Sequence, residues 1–259
     1  MSKLEILKEK LAKRQPVLST NISNVAWSGL MQKFAATPLD FLMFDLEHGT
    51  LTAEGIEDSL RVCRLVDLPT VVRVTDCVPH LISKTLDMGA DGILIPRVET
   101  MEQVATAVRC TRYFPRGRKG CGGFSNLRAE DQGDISRYND NRMLFIQMES
   151  LEGLALLPQI LETYGKELSG VLIGPYDASI MVGTPMDILS DAMTRYIKDV
   201  FDICRQYGIS CGSFVDGPAL ISRYRDLGGN VFWTGSEIGM MMTGYKILCD
   251  TFKKETETV

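Results

Sequence analysis

The sequence has few or none of the features that mark several common classes of protein. Only two of its 259 residues are histidine, His48 and His80, which excludes a histidine-rich transition-metal site. Its seven cysteines are scattered without a C-x-x-C pair, which argues against both a disulfide framework and a zinc site. No apolar run is long enough to span a bilayer, and residues 1–15 lack the apolar centre of a signal peptide. We therefore expect a reduced, cytoplasmic protein without a membrane partner.

The charge balance and the length limit both the partners and the architecture. A formal net charge of −5 argues against nucleic acid as the main partner. With 45% hydrophobic and 24% charged residues, the composition is that of an ordinary globular protein. No low-complexity linker or break in composition interrupts the chain, so we predict one domain over residues 1–259. Residues 1–15 have the pattern of an N-terminal helix, and residues 253–259 that of a solvated tail.

Eight short apolar runs recur along the chain, separated by longer helical patterns. Most are nearly continuous rather than alternating, which is typical of parallel strands buried on both faces. The predicted strands are residues 16–23, 40–47, 70–76, 92–98, 144–150, 170–177, 209–215 and 230–237. Eight strands that alternate with helices over about 250 residues predict an α/β fold, a single (β/α)8 TIM barrel. An open, doubly wound sheet is the alternative.

A long glycine-rich segment, residues 114–141, follows the fourth predicted strand. Long loops in compact barrels usually act as lids or binding loops. The stretch "GRKGCGG" within it could cradle an anion through backbone N–H groups, although it matches neither the P-loop nor the dinucleotide-binding spacing. The alternative interpretation is a flexible hinge.

Polar side chains collect at the C-terminal ends of the predicted strands, where the active sites of such barrels form. Five consecutive strands each end in a charged or amide group, which favours a shared site over isolated helix caps. These residues are Asp45, Glu47 and His48 on the second strand, Arg73 and Asp76 on the third, Arg97 on the fourth, Gln147 and Glu149 on the fifth, and Asp177 on the sixth, while Glu237 ends the eighth.

The carboxylates and the histidine at these ends suggest two kinds of chemistry. Glu149 and Asp177 lie on neighbouring predicted strands and could converge on a hard cation such as Mg²⁺, Mn²⁺ or Ca²⁺. The alternative is that each caps the helix that follows it. His48 lies three residues after Asp45 and could be a base whose tautomer that carboxylate fixes. A structural histidine is the alternative.

Arginine is present inside two of the apolar strands. Arg73 in "TVVRV" needs a carboxylate or an oxyanion if it is buried, because its guanidinium stays charged. It could pair with Asp45 or Glu47, or face negative charge that develops on a substrate. Arg97 in "ILIPRV" raises the same alternatives. No predicted strand contains lysine, which argues against a Schiff-base aldolase, so a barrel that handles carbanions would rely on a metal and arginine.

Six segments, taken in order, resemble the HpcH/HpaI family of class II, metal-dependent aldolases. "FDLEHG" is similar to the family's D-x-E-H signature, "VVRV" to its strand-three arginine, and "GADGILIPRVET" to its G-A-x-x-x-x-x-P segment. "YFPRGRKGCGG" resembles its Y-P-P-x-G-x-R-G-x-G loop, "IQMES" its Q-x-E-T motif, and "VLIGPYDASIMVG" its F-I-G-P-x-D-L-S-x-x-x-G box. The resemblance covers nearly the whole chain.

The resemblance implies which residues bind the metal and the first substrate. Glu149 and Asp177 would be the metal ligands, with Mg²⁺ as the first choice and Mn²⁺ or Ca²⁺ as alternatives. Gln147 would lie beside a bound 2-oxo acid such as pyruvate. The backbone after Gly174, together with Pro175, would help to hold the carboxylate of that acid.

The resemblance also implies the reaction and the assembly. Arg73 would stabilise an enolate oxygen, and His48 with Asp45 would move protons. The enolate would add to the carbonyl of an aldehyde, or would be released in the reverse cleavage. Family members are typically cytoplasmic homo-hexamers that exchange a C-terminal helix between subunits, and "GMMMTGYKILCDTF" could be that helix. A buried core helix is equally compatible with this stretch.

The departures from the family pattern concern the second substrate. Lys119 occupies a position where the loop usually has arginine, and Arg97 one that is usually apolar; both are candidate substrate-binding residues. An added guanidinium at the mouth of the barrel would favour a substrate with an extra carboxylate, such as oxaloacetate. One branch of the family condenses oxaloacetate with acetyl-CoA to form citrate for siderophore biosynthesis. A citrate synthase of that kind is therefore the alternative to an aldolase.

Two further functions are less favoured by the sequence. A catalytically silent barrel used as a binding protein would predict a broken metal pair or a missing Arg73, and the sequence retains all three residues. A barrel for a phosphorylated substrate would need a glycine turn after strands seven and eight. The segments "VDGPAL" and "TGSEIGMM" match such a turn only weakly.

Overall fold

The computed structural model describes residues 1–122, 127–128, 131 and 133–256, and in it the chain forms a closed barrel of parallel strands. The strands are β1 Val17–Ile22, β2 Phe41–Asp45, β3 Thr70–Arg73, β4 Gly92–Ile95, β5 Met143–Met148, β6 Gly170–Ile173, β7 Cys211–Val215 and β8 Val231–Ser236. Neighbours in sequence pair with one another, and β8 pairs with β1. The predicted (β/α)8 TIM barrel is confirmed. The doubly wound alternative is excluded, because that sheet would end at two open edges.

Helices connect the strands around the outside of the barrel. The described helices are α1 Lys3–Ala12, α2 Ser28–Phe34, α3 Ala53–Leu65, α4 Pro79–Asp87, α5 Met101–Thr111, α6 Ile135–Asn141, α7 Leu151–Tyr164, α8 Pro175–Met181, α9 Asp191–Gln206, α10 Pro218–Asp226 and α11 Glu237–Thr256. Within the described part of the chain, no helix has the length and apolar character that crossing a membrane requires.

The two ends of the chain differ in how they attach to the barrel. Helix α1 lies within the predicted N-terminal helix, and a capping box between Ser2 and Glu5 fixes where it begins. The predicted tail begins inside α11: residues 253–256 are helical and exposed, and residues 257–259 lie outside the described residues.

The side chains that point into the barrel form one apolar layer, which α1 closes at the amino-terminal end. The buried face of α1 consists of Leu4, Leu7 and Leu11. It packs with inward-facing residues of the strands, among them Phe41 and Phe145. Further apolar clusters form where the strands meet the surrounding helices. Among the described residues the interior is therefore a packed core, and the candidate ligand cavity lies beyond the strand ends.

The described residues of the glycine-rich segment lie at the other end of the barrel from the expected active site. It follows α5 rather than β4, so it leads into the amino-terminal end of β5. The Lys119 amine, which is buried, binds the Asp87 carboxylate and lies 5.4 Å from the centre of the Tyr113 ring. The described part of this segment therefore does not cover the strand carboxyl ends of its own barrel, and Lys119, a predicted substrate-binding residue, lies away from them. The physical reason is helix α5, which carries the chain from the carboxyl end of β4 to the opposite face of the barrel before these residues begin.

We expect Leu7→Ala to lower the free energy of unfolding by about 2–5 kcal/mol, because Leu7 is buried in the layer that closes the barrel and its truncation leaves a cavity. Ile6→Ala is the matched control, since Ile6 is the neighbouring residue of the same helix and is 41% exposed. That control should change stability by about 0.5 kcal/mol or less. Urea denaturation measures both, and equal losses would contradict this account of α1.

Candidate active site

The candidate site lies at the carboxyl ends of the strands, on the same inward face as the apolar layer. Every second residue of a strand points to the same face. On β2 this face carries Phe41, Met43 and then Asp45, and on β3 it carries Val71 and then Arg73. The interior therefore changes from apolar to ionic at the last position of both strands.

Arg73 is buried at the floor of the site and is held by two carboxylates. Its Nε donates to Asp45 Oδ1 at 2.9 Å, and its Nη2 donates to Asp45 Oδ2. Its Nη1 lies 3.2 Å from Glu47 Oε2. Burial lowers the pKa of Arg73, but the hydrogen bonds and charge of Asp45 outweigh burial and raise that pKa above its usual value. The predicted pairing of Arg73 with Asp45 or Glu47 is confirmed for both, and the guanidinium is a fixed positive charge.

Asp45 also shapes the turn that follows β2. Its carboxylate accepts the backbone N–H groups of Glu47 and His48 at 3.0 and 3.2 Å. Because these bonds and Arg73 occupy the carboxylate, the structure contains no hydrogen bond from the His48 imidazole to Asp45. The ring instead has its Nε2 4.0 Å from Glu47 Oε2, and the side chain is 60% exposed. His48 thus faces the solvent side of the site.

Glu47 connects Arg73 with Arg97. In addition to its contact with Arg73, Glu47 Oε1 lies 3.1 Å from Arg97 Nε. Burial raises the pKa of Glu47, against the lowering effect of Arg73. Arg97 has a left-handed backbone, with φ of 47°, and its N–H donates to Glu149 Oε2 at 3.2 Å. Its side chain is 59% exposed, so this guanidinium lies at the rim.

Glu149 is a buried carboxylate in a close-fitting pocket of polar groups. The Gln147 amide donates to Glu149 Oε1, and Gln147 Oε1 accepts from Arg73 Nη1 at 3.5 Å. Gly174 leaves room for this arrangement, because a Cβ there would lie 1.9 Å from Glu149 Oε1. Burial and the negative charge of Asp177 raise the pKa of Glu149 to about 8.

The residues present fit a divalent cation between Glu149 and Asp177. Glu149 does not cap the following helix, because the Ser150 hydroxyl accepts the first N–H bond of α7. Asp177 is exposed in the first turn of α8, which has no side-chain cap. The described residues contain no group of three or more His, Cys, Asp or Glu side chains that could hold a metal. Two carboxylates with further positions left to water or substrate oxygens form a donor set that suits Mg²⁺.

A cavity of about 560 Å³ opens above these groups. Its polar side includes Asn21, Asp45, His48, Arg73, Gln147 and Asp177. Its other side is apolar and consists of Tyr176, Ile180, Met186, Phe214 and Trp233. Trp233 lies under the Arg73 guanidinium, 5.1 Å from its carbon to the ring centre, and contacts Phe214 edge to face at 5.5 Å. The cavity therefore presents fixed charge beside a hydrophobic wall.

The loop after β1 lines the cavity and is tied to the start of α11. The Glu237 carboxylate accepts the backbone N–H groups of Ser23, Asn24 and Val25, with distances of 3.1 Å to Ser23 and 2.7 Å to Val25. Ser23 and Asn24 both face the cavity. Glu237 was predicted at a strand end, but this contact was not predicted.

Most of the predicted site residues come together, but three of them, Glu149, Arg97 and Lys119, do not line the cavity. Its lining includes Gly174 and Pro175 in addition to the polar residues above, while Glu149 adjoins it through Gln147. Arg97 is connected to the site by its side-chain contact with Glu47 and its backbone hydrogen bond to Glu149. Lys119 is at the opposite end of the barrel, bound to Asp87.

Sequence reasoning missed one side of the cavity. Phe214 and Trp233 lie inside apolar strands, where an aromatic residue is indistinguishable from core. Asn21 was also missed; it follows Ser19 on the inward face of β1, so its polar pattern was the available signal.

Comparison with known proteins relates the sequence to one family of aldolases. Residues 23–243 match the family described as HpcH/HpaI aldolase/citrate lyase. The chain is 34% identical over 224 residues to a hydroxypyruvate/pyruvate aldolase of Roseovarius nubinhibens, which covers 83% of this chain and 86% of that protein.

Solved structures share the barrel. An HpcH/HpaI aldolase from Desulfitobacterium hafniense DCB-2 superposes with a TM-score of 0.87 at 22% identity, covering 95% of this chain and 96% of the other. The citrate synthase SbnG superposes with a TM-score of 0.83 at 24% identity, covering 97% and 98%. At these identities the likeness concerns the fold alone.

We expect Gly174→Ala to leave the fold intact and to lower kcat/KM by about 100-fold, because the new Cβ would displace the Glu149 carboxylate and small misplacements of site groups have effects of this size. The backbone at Gly174, with φ of −86°, is one that alanine adopts readily. Gly120→Ala is the control, since no atom lies within 4 Å of its Cβ position. A Gly174→Ala protein with unchanged kcat/KM would show that the position of Glu149 does not matter.

Proposed function

The chain belongs to the HpcH/HpaI aldolase/citrate lyase family and is an aldolase-type carbon–carbon lyase, and from this premise we propose that it acts on a 2-oxo acid held by a divalent cation between Glu149 and Asp177. The observation that supports this most directly is the arrangement of charge across the cavity floor. A fixed guanidinium, Arg73, is joined through Gln147 to the buried carboxylate of Glu149. A 2-oxo acid has the matching groups, a carboxylate next to a polarisable carbonyl.

The cation that we propose is Mg²⁺, with Mn²⁺ or Ca²⁺ as alternatives. Aldolases of this class generally depend on a divalent metal. When bound, the cation would polarise the carbonyl of the 2-oxo acid and stabilise the negative charge that develops on it. Glu149 and Asp177 would be its protein ligands.

Arg73 stabilises the enolate oxygen in this proposal. Its guanidinium is held in place by Asp45 and Glu47 before any substrate arrives, so it does not have to reorganise during the reaction. Trp233 below it keeps water from one face of the guanidinium. Gln147 orients both Arg73 and Glu149, and lies where it can contact the 2-oxo acid.

His48 transfers the proton. It lines the cavity, its side chain is largely exposed, and Glu47 lies 4.0 Å from its ring. We assign Asp45 an indirect part, in which it orients the backbone of His48 and the guanidinium of Arg73. The backbone after Gly174 and Pro175 begins a helix without a side-chain cap, so its N–H groups are available for the carboxylate of the 2-oxo acid.

A second candidate function is the condensation of oxaloacetate with acetyl-CoA to form citrate, as in siderophore biosynthesis. The observation that favours it is the exposed guanidinium of Arg97 at the rim, which suits the second carboxylate of oxaloacetate. In that reaction the acetyl-CoA enolate would be the nucleophile and oxaloacetate would be the bound electrophile.

The proposed assembly is a homo-oligomer, with a hexamer as the form that the family resemblance implies. Helix α11 has many apolar side chains, yet none of its 20 residues is buried against the described part of the chain. Met241, Tyr245, Leu248 and Phe252 are about half to two-thirds exposed and recur at the spacing of one helix face. We propose that α11 docks on a second copy of this chain.

The metal and the reaction are tested together. We expect metal-stripped protein to lose aldol activity with pyruvate and small aldehydes, and Mg²⁺, Mn²⁺ or Ca²⁺ to restore it. Glu149→Gln should lower kcat/KM by about 10²–10³-fold even with metal present, because it removes a charged ligand. Glu152→Gln, an exposed residue three positions on, is the control and should retain activity.

A parallel assay with oxaloacetate and acetyl-CoA, in which free thiol is followed, separates the two candidates. Citrate formation without aldol activity would establish the synthase. Citrate formation that is indifferent to metal would contradict the cation site, and no activity in either assay would favour a silent binding barrel.

The assembly is tested by light scattering after gel filtration. We expect the protein to form an oligomer and Leu248→Asp to yield smaller species, because a carboxylate would replace an apolar contact in the interface. Lys246→Asp is the control on the same helix and should keep the oligomer. A wild-type protein that is monomeric at micromolar concentration would rule out the docking of α11.

A further inference from the structure

A second cavity lies at the amino-terminal end of the barrel, opposite the candidate active site. Its volume is about 380 Å³, and it lies between α1 and the connections that enter β5, β6 and β7. Five cationic side chains line it, against two carboxylates: Lys8, Arg112, Arg116, Arg142 and Lys166. The aldolase chemistry uses none of these residues.

Arg112 lines this cavity and is only 2% exposed. Its Nη2 donates to the Glu167 backbone carbonyl at 3.1 Å, and its Nε lies 3.3 Å from the Glu167 carboxylate. Its Nη1 is buried and has no hydrogen-bond partner among the described residues. Burial lowers the pKa of Arg112 to about 10, which still leaves it charged at neutral pH. A buried guanidinium with an unpaired N–H group is costly unless an anion completes its hydrogen bonds.

The two carboxylates of the lining do not balance these charges. Arg116 Nη2 binds Glu167 at 2.7 Å, and its Nη1 binds Asp140 at 2.6 Å. Both carboxylates that face the cavity are therefore already engaged by Arg116. Arg142 has its own partner, Asp131, at 2.8 Å, outside the lining. The positive charge that remains comes from Arg112 and the lysines.

The lysines border the cavity on two sides and have no carboxylate partner in the described part of the chain. Lys8, on α1, donates to the Asn141 side-chain oxygen at 3.2 Å and is half-buried. Burial lowers the pKa of Lys8, and the charge of Asp140 opposes this. Lys166, in the connection between α7 and β6, is exposed. Ammonium groups on two sides and a guanidinium in the wall can together contact one anion from several directions.

We propose that this cavity binds a small polyanion through its phosphate or carboxylate groups. The guanidinium of Arg112 would contact one anionic group, and Lys8 and Lys166 would close around the others. A volume of about 380 Å³ accommodates a molecule of the size of pyrophosphate or a tricarboxylate. The site is independent of the proposed aldolase function, because its residues belong to the connections at the other end of the barrel.

The test is calorimetric titration of the full-length protein with pyrophosphate and, separately, with tricarballylate. We expect at least one of these two anions to bind with a Kd below about 1 mM. The double variant Lys8→Gln/Lys166→Gln should raise that Kd about tenfold or more, because hydrogen bonds to charged groups are lost. Lys33→Gln/Lys198→Gln removes the same charge from exposed positions elsewhere and should bind as the wild type does.

Arg112→Met tests the buried guanidinium and should abolish binding. Because Arg112 also bonds to Glu167, thermal unfolding must first show that this variant folds; if it does not fold, the double lysine variant decides. Binding of pyrophosphate alone or of tricarballylate alone supports the site and identifies its anionic group. No binding of either anion to the wild type overturns the proposal. Equal weakening in both double variants also overturns it, since general surface charge would then account for binding.

Discussion

The candidate active site depends on one buried positive charge. A guanidinium at the end of β3 has to be neutralised, because an unpaired charge in the interior of a barrel is far more costly than a paired one. Asp45 and Glu47 provide the neutralising negative charge from the adjacent strand and its turn, which explains why the apolar run of β2 ends in two acids. Gln147 then extends the arrangement to Glu149. Each of these side chains is therefore positioned by its contact with the next, from Asp45 through Arg73 and Gln147 to Glu149.

The sequence predicted the barrel and the level of the site within it well, because both depend on local patterns. Buried parallel strands are continuously apolar, and a polar residue that interrupts them is conspicuous. Arg73 was identifiable on these grounds alone, as was its need for a carboxylate. Only the structure shows that Glu149 does not cap α7. Ser150 lies next to it in the sequence, and either residue could have been the cap.

Other expectations failed where the outcome depends on backbone geometry. The imidazole of His48 was expected at Asp45, but the turn after β2 uses that carboxylate for backbone N–H groups. Lys119 was expected near the substrate, but an intervening helix, α5, carries its segment to the other end of the barrel. The spacing of residues along the chain contains no information about either result.

The hydrogen bonds from the loop after β1 to Glu237 have a consequence for how the protein is made. The residues that they join are 212–214 positions apart in the sequence. The loop leaves the ribosome early, yet the carboxylate that orders it is synthesised near the end of the chain. The backbone of Ser23 and Asn24, which both face the cavity, therefore gains these hydrogen bonds only after nearly the whole chain has been made. A nascent chain that lacks residue 237 has most of the barrel sequence but lacks the carboxylate that accepts these backbone N–H groups.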